Sequence, residues 1–359
     1  MKVEVLTDEQ VKFFEGPLKV TTCGNVIETM AMEKLNRKGS QIIQLGDYKY
    51  ILKSDIDEHG EIIGEVKEFK RTDNRGQNLK GMARSMKDLR DLINCNVTNV
   101  ANCRWVTLTY RQRENPSEEA VPMTDTKRLY EDMKNFYKRL KYHHEKNGLP
   151  PYERIDAVEP QGSGSWHVHS LWIYDKKAPY IANKDLAELW GQGFVTIKKL
   201  DDVDNVGAYL TAYLCDVEVT EALQQGIDIR HMHFKDVEVT DEDGQTVKKR
   251  YIKGARLHMY PAKMNFYRTS RGVKRPSVEW LSEQEAKEKV KAATLTFSKN
   301  IRLTDDETDF TSDIQYRYYN TIRKCCQDDV SKNTSKNADL WCGATKEEWT
   351  ELYNSANIE

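Results

Sequence analysis

The chain has 359 residues with 55 Lys and Arg against 57 Asp and Glu, which gives a formal net charge of −2 and predicts about two domains. No apolar run reaches the roughly 18 residues that cross a bilayer, and the N-terminus has no apolar signal core. The seven cysteines form no CxxC pair, which argues against a zinc ribbon or a disulfide framework. We therefore expect a cytoplasmic protein with no membrane partner.

The near-neutral total hides an uneven distribution of charge. Residues 67–90 carry a local excess of +5, residues 248–275 carry ten cations and no acid, and the chain from residue 301 onward carries −5. Near-neutral charge alone argues against a nucleic-acid-binding protein, but the basic middle of the chain does not.

The first half of the chain shows alternating strand and helix patterns. Residues 40–70 predict a hairpin around Asp57–Gly60, and residues 82–93 have helical spacing. Residues 103–110 are β-branched and aromatic, which predicts a strand, and residues 125–144 repeat apolar positions as a helix does.

The second half continues with two further hairpins. One joins residues 154–159 to 165–174, and the other spans 234–260. Between them we predict short helices at 183–190 and 203–217 with a strand at 194–198, and we expect the acidic region beyond residue 301 to form a partly ordered helical appendage. Since hairpins dominate and parallel βαβ spacing is absent, we predict an α+β fold with a central antiparallel sheet flanked by helices.

His167 and His169 form the first candidate site. Residues two apart in a strand project from the same face, so these imidazoles lie side by side and can chelate a divalent metal. If the hairpin pairs odd positions with odd positions, Glu159 joins them as a third ligand. A pair of core histidines is the alternative, and a second HxH at His231–His233 shows that spacing alone does not decide.

Tyr209 and Tyr213 form the second candidate site. At i and i+4 on a helix they share one face, which usually indicates packing. A tyrosine can also act as a covalent nucleophile when a nearby cation or a metal-polarised electrophile assists it.

The basic segment 248–275 interleaves cations with aromatic residues. Cations for phosphates and aromatic faces for bases are what a single-strand binding groove requires, although a charge run can also be only a solvated surface. The predicted DNA-binding residues are Lys248, Lys249, Arg250, Arg256, Tyr260, Lys263, Tyr267, Arg268, Arg271, Lys274 and Arg275.

Taken in order, these features resemble the HUH endonucleases, specifically the dual-tyrosine, phage-like replication-associated proteins that initiate rolling-circle replication. The strand Trp105–Tyr110 is similar to the first family motif, Glu159 with His167-Val168-His169 to the metal motif, and Asn205–Tyr213 to the nucleophile helix. The similar layout covers roughly residues 84–275.

The resemblance implies a nicking domain over 84–275, with an N-terminal hairpin and basic region at 1–83 and a helical acidic appendage at 276–359. It implies Mg²⁺ or Mn²⁺ held by Glu159, His167 and His169, and single-stranded DNA at a replication origin as the substrate. It further implies a bacterial host that supplies helicase and polymerase. Attack by Tyr209, favoured as first nucleophile, or by its partner Tyr213 leaves a 5′-phosphotyrosine and a free 3′-hydroxyl.

The sequence departs from the family at two positions. Members of this type often carry Lys three residues after each tyrosine, where this chain has Ala212 and Asp216. Lys198, Lys199 or a cation of 248–275 can take that role, and which tyrosine acts stays open. The alternatives are a non-catalytic origin-binding or single-strand-binding protein, a related relaxase or transposase, and a structural metal protein unrelated to DNA.

Overall fold

We describe the protein from a computed structural model. The structure describes residues 2–11, 14, 16–34, 42–45, 49–52, 55–68, 71–115, 117–200, 206–211, 217–218, 234–240, 246–252, 254–305 and 310–322.

Strands dominate the described residues. The strands are β1 Lys2–Leu6, β2 Leu18–Cys23, β3 Val26–Met32, β4 Ile42–Gln44, β5 Lys49–Leu52, β6 Lys67–Glu68, β7 Cys103–Tyr110, β8 Tyr152–Pro160, β9 Trp166–Tyr174, β10 Gly193–Lys198, β11 Val217–Glu218, β12 Phe234–Thr240, β13 Thr246–Ile252, β14 Tyr267–Thr269, β15 Ser277–Leu281, β16 Thr294–Asp305 and β17 Phe310–Asn320. The helices are α1 Leu79–Asn96, α2 Thr126–Lys146, α3 Asn183–Trp190, α4 Val206–Thr211 and α5 Glu283–Val290.

A five-stranded sheet in the order β10-β7-β9-β8-β14 forms the centre of the main core, and every pairing in it is antiparallel. This confirms the predicted α+β class, the strand at 103–110 and the hairpin of 154–159 with 165–174. Antiparallel pairing follows from the chain itself, because β8 and β9 are joined by the short Gly-containing turn Gln161–Ser165.

Helix α2 covers one face of this sheet. Asp125 caps its first turn by accepting hydrogen bonds from the backbone N–H groups of Lys127 and Arg128, and the helix buries Leu129, Phe136 and Leu140 on one side. Phe136 packs 6.4 Å from Trp172 of β9, between ring centroids. Residues with even numbers in β9 therefore face the helix, and residues with odd numbers face away from it.

A second, six-stranded sheet in the order β1-β16-β17-β3-β2-β15 joins both ends of the described chain. The predicted helical C-terminal appendage is therefore wrong over residues 294–320, which form the long pair β16–β17. Their local pattern explains the difference, because β-branched and aromatic residues such as Ile301, Ile314 and Tyr318 alternate with polar ones, as in a half-buried strand. Residues 323–359 lie outside the described part of the chain.

The remaining predicted elements can be compared directly. Strands β5 and β6 pair around the predicted turn at Asp57–Gly60, and β12 pairs with β13 over the predicted hairpin. The helix predicted over 203–217 is observed as α4, and it does not reach residues 217–218, which pair with β13. No helix in the described residues is long and apolar enough to span a membrane.

Candidate metal centre and its surroundings

Glu159, His167 and His169 converge on the sheet face that points away from α2. Glu159 pairs directly with His167 across β8 and β9, which confirms the odd-with-odd register. Each histidine places Nε2 near the same carboxylate oxygen, with His167 at 3.3 Å and His169 at 3.1 Å from Oε2 of Glu159. One ligand atom from each of the three residues lies within 4.8 Å of the others, so these residues form a candidate metal site.

The second HxH of the sequence, His231–His233, lies outside the described residues. The structure therefore does not test it as an alternative site.

Strand β7 holds the imidazole of His169 from the other side. The hydroxyl of Thr107 lies 3.2 Å from Nδ1 of His169, and the indole of Trp105 stacks on the imidazole with centroids 5.4 Å apart. Thr107 is directly opposite His169 in the β7–β9 ladder. A partner at Nδ1 fixes the ring orientation and leaves Nε2 directed at the carboxylate.

Arg256 contacts the carboxylate of Glu159 on its second oxygen. Its Nη1 lies 3.1 Å from Oε1, and its side chain is only 12% exposed. Sequence analysis placed Arg256 among the DNA-binding residues, but the structure places its guanidinium against the candidate metal centre. Oε1 is thus held by a cation while Oε2 faces the two histidines.

The electrostatics favour the ligand forms of these side chains. Burial raises the pKa of Glu159, but hydrogen bonds from His167 and His169 outweigh that effect and hold its pKa below the usual range. Burial lowers the pKa of His167, and the charges of His169 and Arg256 add to the lowering. An ionised carboxylate and a neutral imidazole are the forms that bind a metal, so two nitrogens and one oxygen fit a divalent cation.

Helix α4 carries Tyr209, and Tyr213 lies outside the described residues. The start of α4 is attached to α1, because the backbone N–H of Gly207 donates to Oδ1 of the buried Asn94 over 2.8 Å. A Cβ on Gly207 would lie 2.4 Å from the carbonyl oxygen of Arg90, so only glycine permits this approach. The tyrosine helix is therefore held at a fixed place against α1.

Two residues predicted to contact DNA have partners within the protein instead. Tyr260 is 1% exposed, its hydroxyl donates to the carbonyl oxygen of Val158, and its ring packs edge-on to Trp166. A ring buried in this way offers no face to a base, so the structure gives Tyr260 a role in the core. The guanidinium of Arg268 stacks on Tyr130 of α2, 3.6 Å from the ring centroid and on the opposite side of the sheet from the histidines.

The other residues of the basic segment divide into two groups. Lys248, Lys249 and Arg250 belong to β13, where the ladder places Glu238 opposite Lys248 and Asp236 opposite Arg250. Tyr267 is half-buried on the histidine face of the sheet, opposite Ala157. Exposed positions are occupied by Lys263, Arg271, Lys274 and Arg275. A role in DNA binding stays a prediction for both groups.

Sequence analysis missed the supporting roles of Thr107, Trp105 and Asn94. Trp105 and Thr107 were part of the first quoted motif, and their alternation in a strand opposite His169 was a signal for a shared face. Asn94 gave no sequence signal, because its contact with Gly207 joins residues far apart in the chain.

One comparison with known proteins gives a match. Residues 103–218, about a third of the chain, match a family model of replication-associated proteins, described as Replication-associated protein ORF2. No curated protein and no solved structure gives a significant match. The matched residues include β7, the β8–β9 hairpin with its candidate metal centre, and α4. This match supports a role in the initiation of DNA replication for the chain.

Proposed function

We propose that the protein is a site-specific single-stranded DNA endonuclease and ligase of the HUH type, which initiates rolling-circle replication of a plasmid, phage or integrative element. Residues 84–275 form its nicking domain in this proposal. Its substrate is single-stranded DNA at an origin in a bacterial host, whose helicase and polymerase continue the process.

The convergence of Glu159, His167 and His169 on one open sheet face is the observation that carries this proposal. A core pair of histidines would point into the apolar layer under α2, where Val168 and Trp172 lie. The two histidines instead occupy the opposite face with a shared carboxylate. The family match over 103–218 supports the replication context of the same residues.

The chemistry divides among a few groups of the chain. Glu159, His167 and His169 would hold Mg²⁺ or Mn²⁺, which when bound supplies a Lewis acid at a phosphate oxygen. Thr107 and Arg256 keep the imidazole and the carboxylate in their ligand orientation.

Tyr209 or Tyr213 attacks the phosphorus of the scissile phosphate. The bond from the tyrosine oxygen to phosphorus forms as the bond to the 3′ oxygen breaks, which leaves a 5′-phosphotyrosine and a 3′-hydroxyl that takes up a proton. A second tyrosine can attack the regenerated junction and release the circle.

A non-catalytic origin-binding or single-strand-binding protein is the second candidate. It is favoured by Ala212 and Asp216, which stand where related enzymes often carry lysines. Both positions lie outside the described residues. Among the cations proposed as replacements, Arg256 lies beside Glu159, and Lys198 is exposed at the end of β10.

A covalent-adduct assay separates the two candidates. The full chain is incubated with labelled single-stranded origin oligonucleotides and Mn²⁺, Mg²⁺ or Zn²⁺, and the denatured products are resolved by gel electrophoresis. We expect a protein–DNA adduct that disappears in the His167→Ala/His169→Ala double variant and in the Tyr209→Phe/Tyr213→Phe double variant. The single Phe variants identify the first nucleophile.

The matched control is His143→Ala, which removes an imidazole that belongs to α2 on the other face of the sheet. It should leave the adduct unchanged. Binding without an adduct in any of the three metals would establish the non-catalytic candidate instead.

A further inference from the structure

Edge strand β10 extends the face that carries the candidate metal centre. The ladder places Phe194 opposite Thr109, Thr196 opposite Thr107 and Lys198 opposite Trp105. Thr109 and Thr107 are in turn opposite His167 and His169. Since directly paired residues project from the same face of a sheet, the side chains of Phe194, Thr196 and Lys198 share a face with the histidines.

Phe194, Thr196 and Lys198 are all exposed, whereas the alternate residues of β10 are half-buried. Phe194 is 62% exposed, although it is a large apolar side chain in the middle of a polar surface. Adjacent strands lie about 4.8 Å apart, so Phe194 is about 10 Å from His167, two strands away. This distance puts an open aromatic ring beside the proposed reaction site.

Two cations accompany the ring. The guanidinium of Arg111 lies 5.8 Å from the ring centroid of Phe194, and Lys198 lies further along the same row. Arg111 also contacts Glu114 at 3.1 Å, but both side chains of that pair are solvent-exposed, and such pairs contribute little binding energy. A phosphate can therefore compete for the guanidinium.

We propose that Phe194, Arg111, Thr196 and Lys198, which we call the β10 face, bind single-stranded DNA next to the scissile phosphate. A base stacks on the open ring of Phe194, and Arg111 and Lys198 contact the flanking phosphates. An isolated exposed phenylalanine needs no explanation, but one flanked by cations on the face of the candidate metal centre has the composition of a single-strand stacking site. This inference rests on the proposed function for its substrate class.

The same chemistry predicts a preference for single strands. A base can stack on Phe194 only when its own face is free, and in a duplex each base face is covered by its neighbours. We therefore expect the β10 face to discriminate against duplex DNA of equal length.

Equilibrium binding of fluorescein-labelled dT20 tests the site. Fluorescence anisotropy is measured in EDTA, so that binding is separated from cleavage, and an unlabelled 20-base-pair duplex is the competitor. Loss of one base stack predicts that Phe194→Ala raises the Kd for dT20 at least about fivefold. Phe194→Trp, which keeps an aromatic face, should bind as the wild type does.

Tyr142→Ala is the matched control. Tyr142 is 65% exposed, almost as much as Phe194, but it belongs to α2 on the other face of the sheet. It should leave the Kd unchanged. Circular dichroism and thermal unfolding should show that both variants remain folded, since each removes an exposed ring.

The salt dependence of binding tests the two cations separately. For a single strand, each lost phosphate contact lowers the slope of log Kd against log salt by about 0.7. Arg111→Ala and Lys198→Ala should each show this change, and Lys176→Ala, an exposed lysine outside β10, should not.

The outcomes distinguish this inference from the proposed function. If Phe194→Ala weakens dT20 binding but no covalent adduct ever forms, the β10 face stands and the nicking activity fails. If the adduct forms and Phe194→Ala binds dT20 like the wild type or like Tyr142→Ala, the β10 face is wrong and the nicking activity stands. Failure of the wild type to bind dT20 would also overturn the β10 face.

Discussion

The guanidinium of Arg256 lies 3.1 Å from one oxygen of Glu159, whose other oxygen contacts both His167 and His169. The carboxylate is thus fixed from two sides, by a cation and by the two imidazoles. A residue that orients a ligand in this way affects metal affinity without touching the metal.

Replacing Arg256 should weaken metal binding. Arg256→Met removes the hydrogen bond to Glu159, and Arg256→Lys keeps the charge but loses the planar fork. We expect both to raise the Kd for Mn²⁺ by about tenfold, measured by electron paramagnetic resonance titration. Arg268→Met, which removes a guanidinium from the other face, is the control. If Arg256→Met binds Mn²⁺ more tightly, charge repulsion dominates and the orienting role is wrong.

The hydroxyl of Thr107 should be needed for the same affinity. Thr107→Val keeps the shape of the side chain and removes the contact of 3.2 Å with Nδ1 of His169. We expect the Kd for Mn²⁺ to rise by about 10- to 100-fold, with little change in the thermal midpoint. Thr109→Val, one position further along the same face of β7, should leave the affinity unchanged. Equal effects of the two variants would assign the loss to the strand and not to His169.

The contact of Asn94 with Gly207 should control the tyrosine helix. Asn94→Ala leaves a buried backbone N–H without its partner, which costs about 1–3 kcal/mol of unfolding free energy. We expect a slower rate of adduct formation at a temperature where the variant is fully folded. Gly207→Ala should act in the same direction, because its Cβ would collide with the carbonyl oxygen of Arg90.

Asn96→Ala provides the control on the same helix. Asn96 bonds to the backbone of Leu92 and Lys274 and makes none of its described contacts with α4. A comparable loss of stability with an unchanged adduct rate would separate positioning from folding. If Asn96→Ala slows the adduct as much as Asn94→Ala does, the positioning role is refuted.

His144 should make the fold sensitive to acid. Burial lowers the pKa of His144, although the carbonyl oxygen of Leu140 opposes the shift, and the ring packs beside Tyr152 and Tyr174. Because the folded-state pKa is lower than the unfolded value of about 6.5, the unfolded chain binds the proton more readily. Stability is therefore retained above about pH 6.5 and is lost as pH falls from there toward the folded pKa.

Urea unfolding at pH 7.5 and pH 5.5 measures this effect. His144→Gln should reduce the loss of unfolding free energy between the two pH values, by at most about 1.4 kcal/mol per pH unit. His143→Gln, which changes the adjacent and less buried histidine, should lose as much stability as the wild type. The same pH dependence in His144→Gln and the wild type would rule out His144 as the source.

The sequence by itself determined the central sheet and the candidate metal ligands. The alternation in Trp166–Tyr174, the short turn before it and the helical repeat at 125–144 are local patterns, and local patterns are preserved when the chain folds. The register of β8 against β9 follows from that short turn, which is why Glu159 was identified beside His167 and His169 before the structure was known.

Only the tertiary structure decided which distant residues serve that centre. Arg256 and Tyr260 are four positions apart in one basic segment, yet one contacts Glu159 and the other is buried under Val158. The strands after residue 294 also received their role from packing, since they pair with β1 and β3 from the other end of the chain. Such contacts depend on chain closure over hundreds of residues, and neither composition nor periodicity encodes the partner of a strand or of a charge.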